Sequence, residues 1–181
     1  MTSLFRSRMR RTVEALVTLA LVASAARTVS AQPWTSVGSA GTVDEADAGV
    51  VGFSLSEVTV RGTAPEAVVI RYNVIPVPGV VVGNSVILAA RYRDSGAGSR
   101  ITLILRGKSI NNNANTTIAT LNSDAFPQNV NPQTRSVLVC GPTLDFENNA
   151  YYIEAIVSRS TAGALLGLSN LKLFTGFFCE G

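Results

Sequence analysis

The sequence predicts an all-β chain: an antiparallel β-sandwich of about eight strands that follows a cleaved helical signal peptide. Three observations lead there. From residue 50 onward, apolar side chains alternate with polar ones at a period of two, as in Val68, Ile70, Tyr72 and Val74 against Arg71 and Asn73. Clusters of Gly, Pro, Asn and Asp break these runs at intervals of roughly 8–15 residues. No segment beyond the leader keeps the 3.6-residue apolar period over the length of a helix.

The leader is residues 1–31. Arg6, Arg8, Arg10 and Arg11 precede the uncharged, mostly apolar stretch 15–26, and the small residues Val29-Ser30-Ala31 precede Gln32-Pro33. That order is the one read in a secretory signal peptide, with cleavage between Ala31 and Gln32. The apolar run is shorter than the about 20 residues that cross a bilayer, so no transmembrane anchor is expected in the mature chain. The expected location is secreted or periplasmic. The general secretory route is favoured, because Thr12-Val13-Glu14 fits a twin-arginine motif poorly after Arg10-Arg11; the twin-arginine route is the alternative.

Elements follow in order. Residues 32–49 read as a flexible N-terminal segment, polar and glycine-containing, with Trp34 as its one large apolar group. Residues 50–181 read as a single domain. Phe53 and Leu55 alternate with serines, and Val58 and Val60 continue on the opposite parity, which predicts a β-bulge near Ser56-Glu57. The strand 68–74 ends at Pro76, Pro78 and Gly79. Val86, Leu88, Ala90 and Tyr92, then Ile101, Leu103 and Leu105, flank Asp94-Ser95-Gly96-Ala97-Gly98 and predict a hairpin. A turn at 111–115, a short strand at 116–121, a two-proline loop at 122–134 and a strand around Val137 and Val139 come next. Tyr151 to Ser158 alternate, and Leu171 and Leu173 carry a last strand toward Cys179.

The sandwich is expected to be jelly-roll-like or immunoglobulin-like. The last 40 or so residues run from a Cys-Gly-Pro break through an Asn-rich turn, Tyr-Tyr-Ile-Glu-Ala and Leu-Lys-Leu. This order is similar to the closing strands of exported jelly-roll domains. A membrane β-barrel of similar size would carry aromatic girdles, and aromatics make up 7% of the chain without marking both strand ends.

Composition narrows the chemistry. The chain has 15 Lys+Arg and 12 Asp+Glu, but five of the arginines and Glu14 lie in the leader, which leaves residues 32–181 with a net charge of −1. Nucleic-acid binding, which needs a basic folded face, is therefore not expected. The two cysteines, Cys140 and Cys179, are expected to pair in an exported protein. There is no histidine, which excludes Ser-His-Asp and Cys-His nucleophiles and His-based metal sites within this chain. No phosphate or dinucleotide motif is present. No cofactor, no metal and no catalytic residue is expected.

The remaining enzymatic route is a pair of carboxylates, drawn from Asp94, Asp124, Asp145, Glu147 and Glu154. Asp44-Glu45-Ala46-Asp47 lacks the spacing of a calcium loop and reads as solvated. Arg91, Arg93 and Arg106, side by side in the expected hairpin, would make a cationic stripe for an acidic glycan or simply an exposed charged face. Of Tyr151 and Tyr152, only one can face a ligand. The candidate ligand loops carry Asn111, Asn112, Asn113, Asn115, Gln128 and Asn129 and are expected at one end of the sandwich. The expected function is an exported, non-catalytic binding or structural module whose partner is a glycan or an envelope protein. A carboxylate-based hydrolase acting on glycans and a subunit of an extracellular assembly are the alternatives.

Overall fold

The computed structural model describes residues 32–61, 66–81, 83–96, 98–177 and 179. The expected signal peptide and Ala31 lie outside the described residues. In chain order the strands are β1 (Trp34–Val37), β2 (Thr42–Val43), β3 (Val51–Ser54), β4 (Glu57–Val60), β5 (Glu66–Val74), β6 (Ser85–Asp94), β7 (Ser99–Ser109), β8 (Asn115–Asn122), β9 (Asn129–Cys140), β10 (Asn149–Arg159) and β11 (Leu166–Gly176). They form two antiparallel sheets. The front sheet runs β3-β4-β11-β6-β9, with β1 also on β11, and the back sheet runs β2-β5-β10-β7-β8.

Strands β4 to β11 interleave as β4-β11-β6-β9 over β5-β10-β7-β8, which is the order of a jelly roll and not of an immunoglobulin sandwich. The period-two pattern supplies the core. Val68, Ile70 and Tyr72 from β5, Leu88 and Tyr92 from β6, Ile101, Leu103 and Leu105 from β7, Ile153 from β10 and Leu171 and Leu173 from β11 are buried between the sheets. Each such side chain contributes about 1.5–3 kcal/mol relative to exposure.

The expected hairpin between residues 86–92 and 101–105 does not form. β6 pairs with β11 and β9, whereas β7 pairs with β10 and β8, so the chain crosses from one sheet to the other. Alternation satisfies either arrangement, because both put one apolar face inward. The turn chemistry decides. Asp94 is buried and its Oδ1 accepts from the Gly96 amide at 2.9 Å and the Ser99 hydroxyl at 2.5 Å. Gly96 and Gly98 have φ of 100° and 95°, and a Cβ on either would run into Gln128 or Thr161.

The parity change near Ser56-Glu57 is a tight hairpin and not a bulge. Val51 pairs with Val60 and Ser54 with Glu57, leaving Leu55 and Ser56 as the turn. Leu55 sits at φ 47° and is 99% exposed. A turn without Gly, Asn or Pro left no signal in the sequence.

The segment 32–49 contributes two strands where a flexible stretch was expected. β1 lies antiparallel to β11, with Trp34 opposite Leu173, and Trp34 is buried. The small residues that read as a loop are there for close approach: a Cβ on Gly38 would collide with the Leu168 carbonyl, and one on Gly41 with Ile70 and Tyr72. Asp44 pairs with Arg71 at 2.9 Å and the Asp47 carboxylate accepts from the Val69 amide at 3.1 Å, so this acidic stretch clamps β5.

The two-proline stretch 122–134 is also more regular than expected. A single 3-10 turn, Ser123–Ala125, leads into β9, which includes Pro132. β9 pairs only with β6, so Pro132 stands in an edge strand, where a missing amide donor is tolerated. At the far end of β9, Cys140 is joined to Cys179 in a disulfide. The bond ties the edge strand to the segment after β11, across Ser85 of β6, which faces both Cys140 and Gly176.

Candidate ligand-binding groove

The predicted loops lie at opposite ends of β8, not together. Asn111, Asn112 and Asn113 form the exposed β7–β8 turn, and Asn115 opens β8 opposite Lys108. These asparagines build the turn: Asn113 takes φ 60°, and Asn112 Oδ1 accepts from the Ala114 amide at 3.1 Å. Gln128 and Asn129 lie beyond the other end of β8. Asn129 Oδ1 accepts from the Asn131 amide at 2.9 Å, and the Gln128 amide group lies over Gly96.

Gln128 lines an open cleft of about 630 Å³ at that end, together with Glu66, Arg100, Asp124, Ser158 and Arg159. Its charges other than Glu66 are already engaged. Arg100 pairs with Asp124 at 2.5 Å, and the Arg159 guanidinium donates to the Arg61 carbonyl at 2.9 Å.

The charges at the centre of the back sheet's outer face are likewise internally satisfied, while Lys108 near the end of β7 has no ion pair among the described residues. Glu154 lies between Arg71 at 3.9 Å and Arg106 at 3.0 Å, and Arg106 also donates to the Thr117 hydroxyl at 3.1 Å. Tyr152 faces outward between Asn73 and Arg106, while Tyr151 is buried with its ring edge-on to Phe146 at 4.8 Å. Arg106 is thus on the opposite sheet from Arg91 and Arg93, and the three make no stripe. Arg93 is held by both oxygens of Glu57, at 2.7 and 3.0 Å.

The front sheet presents a different surface. A groove of about 440 Å³ crosses it, lined by Thr35, Ser36 and Val37 of β1, Asn170 and Lys172 of β11, Ala89 and Arg91 of β6 and Thr134 of β9. The register explains it. Lys172 lies between Thr35 and Ala89, and Asn170 between Val37 and Arg91, so both rows face outward. Ala89 is the floor because its methyl stands where the neighbouring rows carry long side chains. Four adjacent strands at about 4.8 Å spacing give the groove a span of roughly 14 Å. Arg91 has no ion pair or side-chain hydrogen bond among the described residues, and Lys172 has only the Phe174 ring, 5.1 Å from Nζ to the centroid.

Of these residues, sequence reasoning singled out only Arg91. Lys172 was legible in principle, as a cation between Leu171 and Leu173 on an outward strand position. The meeting of β1, β11, β6 and β9 was not, since these strands are remote in sequence.

The carboxylates considered for hydrolysis are mostly committed to structure. Asp94 braces the β6–β7 crossing, Glu154 joins two arginines, Asp124 holds Arg100, and Asp145 caps its own turn. The Asp145 carboxyl is held below its usual range by the Asn148 side chain and by the Glu147 and Asn148 amides, with burial opposing. No group of three or more His, Cys, Asp or Glu is placed to hold a metal among the described residues. No helix there is long and apolar enough to cross a membrane.

What the fold and the groove define is a jelly-roll β-sandwich with a polar, cationic surface groove. No protein-family model matches the sequence, and no curated protein matches it. Solved structures similar to it include carbohydrate-binding modules. The C-terminal family 6 carbohydrate-binding module of a marine laminarinase from Zobellia galactanivorans has a TM-score of 0.47 at 11% identity, covering 80% of this chain and 100% of that one. A family 35 carbohydrate-binding module from Clostridium thermocellum has a TM-score of 0.42 at 12% identity, covering 81% and 100%. A family two carbohydrate esterase from Cellvibrio japonicus has a TM-score of 0.38 at 18% identity, covering 83% of this chain and 36% of that one.

Proposed function

We propose that this chain is an exported, non-catalytic module that binds a glycan in the groove of the front sheet. The observation that carries the reading is the groove's lining: hydroxyls from Thr35 and Thr134, an amide from Asn170 and two cations, over an alanine floor. Hydroxyls and amides in a shallow trough match the repeated hydroxyls of a saccharide, and strands hold them more rigidly than loops would. The engaged carboxylates favour binding over hydrolysis. The export half of the reading rests on the leader and on the disulfide between Cys140 and Cys179.

Affinity electrophoresis through gels containing a panel of soluble polysaccharides tests the binding. At least one polysaccharide should retard the protein, without release of reducing ends, and Asn170→Ala and Ala89→Phe should each weaken the retardation. Migration unaffected by every polysaccharide, or retardation that both variants preserve, would remove the groove as a glycan site. Mass spectrometry of exported protein should find Gln32 at the new N-terminus; retention of residues 1–31 would contradict export by cleavage.

A further inference from the structure

We infer that the glycan taken by the front-sheet groove is anionic, a chain bearing uronate or sulfate groups, with Arg91 and Lys172 as the residues that hold the anion. This rests on the glycan reading above. Among the described residues, unpaired cations stand alone on the outer face of the back sheet, where only Lys108 near the end of β7 lacks a carboxylate, but come as a pair in the front-sheet groove. On the back sheet Arg71 and Arg106 share Glu154, and Arg71 also has Asp44. On the front sheet Glu57 is taken by Arg93 through both oxygens. Arg91 and Lys172 have no carboxylate partner among the described residues, and no acidic residue lines their groove.

The register places these two cations together. Arg91 is opposite Asn170, and Lys172 lies two residues further along β11, opposite Ala89. Such diagonal neighbours on one face have α-carbons roughly 7–8 Å apart. One anionic group of carboxylate or sulfate size fits between a guanidinium and an ammonium at that separation, with the Asn170 amide beside it. The small floor residue leaves the space open. Arg91 offers a planar fork of donors suited to a carboxylate or sulfate edge, and Lys172 adds a point charge. Thr35 and Thr134 at the two ends of the groove are left to meet neutral hydroxyls of adjoining sugars.

Isothermal titration with oligogalacturonate, its carboxyl-reduced neutral counterpart and a sulfated galactan oligomer tests this. The expected result is binding of at least one of the two anionic ligands that is about tenfold or more tighter than of the neutral one, since hydrogen bonds to charged groups are the stronger kind. It should weaken with added salt. Arg91→Gln with Lys172→Gln should abolish that preference, while Lys108→Gln, an exposed cation on the back sheet, should leave it intact. The sulfated and uronate arms show which anion is preferred. Equal affinity for charged and neutral oligomers, or a preference that survives the double substitution with the melting temperature unchanged, overturns the anionic assignment and leaves the glycan reading standing. No binding of these ligands or of any polysaccharide in the gel panel brings down both.

Discussion

Tyr72 donates its phenolic hydroxyl to the Gly38 carbonyl at 2.5 Å, in the interior. The bond fixes the chain as it leaves β1 against β5 of the opposite sheet, and with it the β1 wall of the groove. Tyr72→Phe removes the donor and leaves a buried carbonyl short of a partner, which should cost about 1–3 kcal/mol. Urea unfolding should show a lowered midpoint, and hydrogen exchange should show faster exchange across Trp34–Val37. An unchanged midpoint would mean that β1 is held by its strand pairing and by Trp34 alone.

The same burial predicts an alkaline limit to stability. Burial pushes the Tyr72 hydroxyl well above its usual 10.0. Burial raises Tyr92 to about 12, with Arg135 opposing and Asp94 adding to the rise. Tyr151 is raised by burial against the hydrogen bonds it makes. In the unfolded chain these groups lose their protons near pH 10, whereas in the folded chain they keep them. The folded state then binds more protons, so the stabilisation is full below pH 10 and declines as pH rises toward the folded values. Tyr72 and Tyr92, which move furthest, each add a slope of at most about −1.4 kcal/mol per pH unit in that window, and Tyr151 acts in the same direction. Urea midpoints measured from pH 9 to 11 should fall steadily above pH 10, in step with a delayed tyrosinate absorbance; a flat profile would contradict the burial of these three hydroxyls.

The sequence carried the layers of the fold better than its connections. Alternation at Val68–Val74 and Tyr151–Ser158 identified strands, and at Val68–Val74 the apolar face that is buried, because burial acts on every second residue whichever strand lies alongside. It could not distinguish a hairpin from a crossing, and so misplaced β6 beside β7. Turns were legible where glycine or asparagine marks a left-handed residue, as at Asn113, and invisible at Leu55, where a leucine occupies that region. The groove was the least legible part. It is made by register among β1, β11, β6 and β9, and long-range register has no local signature.

The buried crossing predicts a large effect at Asp94. Asp94→Ala takes away the acceptor for both the Gly96 amide and the Ser99 hydroxyl. Ser99 keeps a bond to the Gly96 carbonyl at 3.0 Å, so the amide is the group left unpaired. A loss of about 2–3 kcal/mol is expected, because bonds to a charged acceptor are the stronger kind. Ser99→Ala should cost less, since the Gly96 amide stays paired. The order Asp94→Ala worse than Ser99→Ala in chemical denaturation is the check, and the reverse order would place the turn's stability elsewhere.

The disulfide predicts a redox dependence that should show in the strands it joins. Cys140 and Cys179 are 39 residues apart in sequence, and closing a loop of that length removes about 4 kcal/mol of unfolded-state freedom in the chain-entropy account. Reduction, or Cys140→Ser with Cys179→Ser, should lower the urea midpoint accordingly. β9 is an edge strand held on one side by β6, so its Cys140 end should be the first to lose hydrogen-exchange protection. The Asn84 side chain still donates to the Cys179 carbonyl at 2.9 Å, and the Ser85 hydroxyl to Gly176 at 2.8 Å, so β11 should stay protected. Because Thr134 of the groove lies mid-strand in β9 and is paired there with Arg91 of β6, ligand binding should survive reduction at temperatures where the protein stays folded. Loss of binding on reduction without unfolding would show that the edge strand moves as one piece.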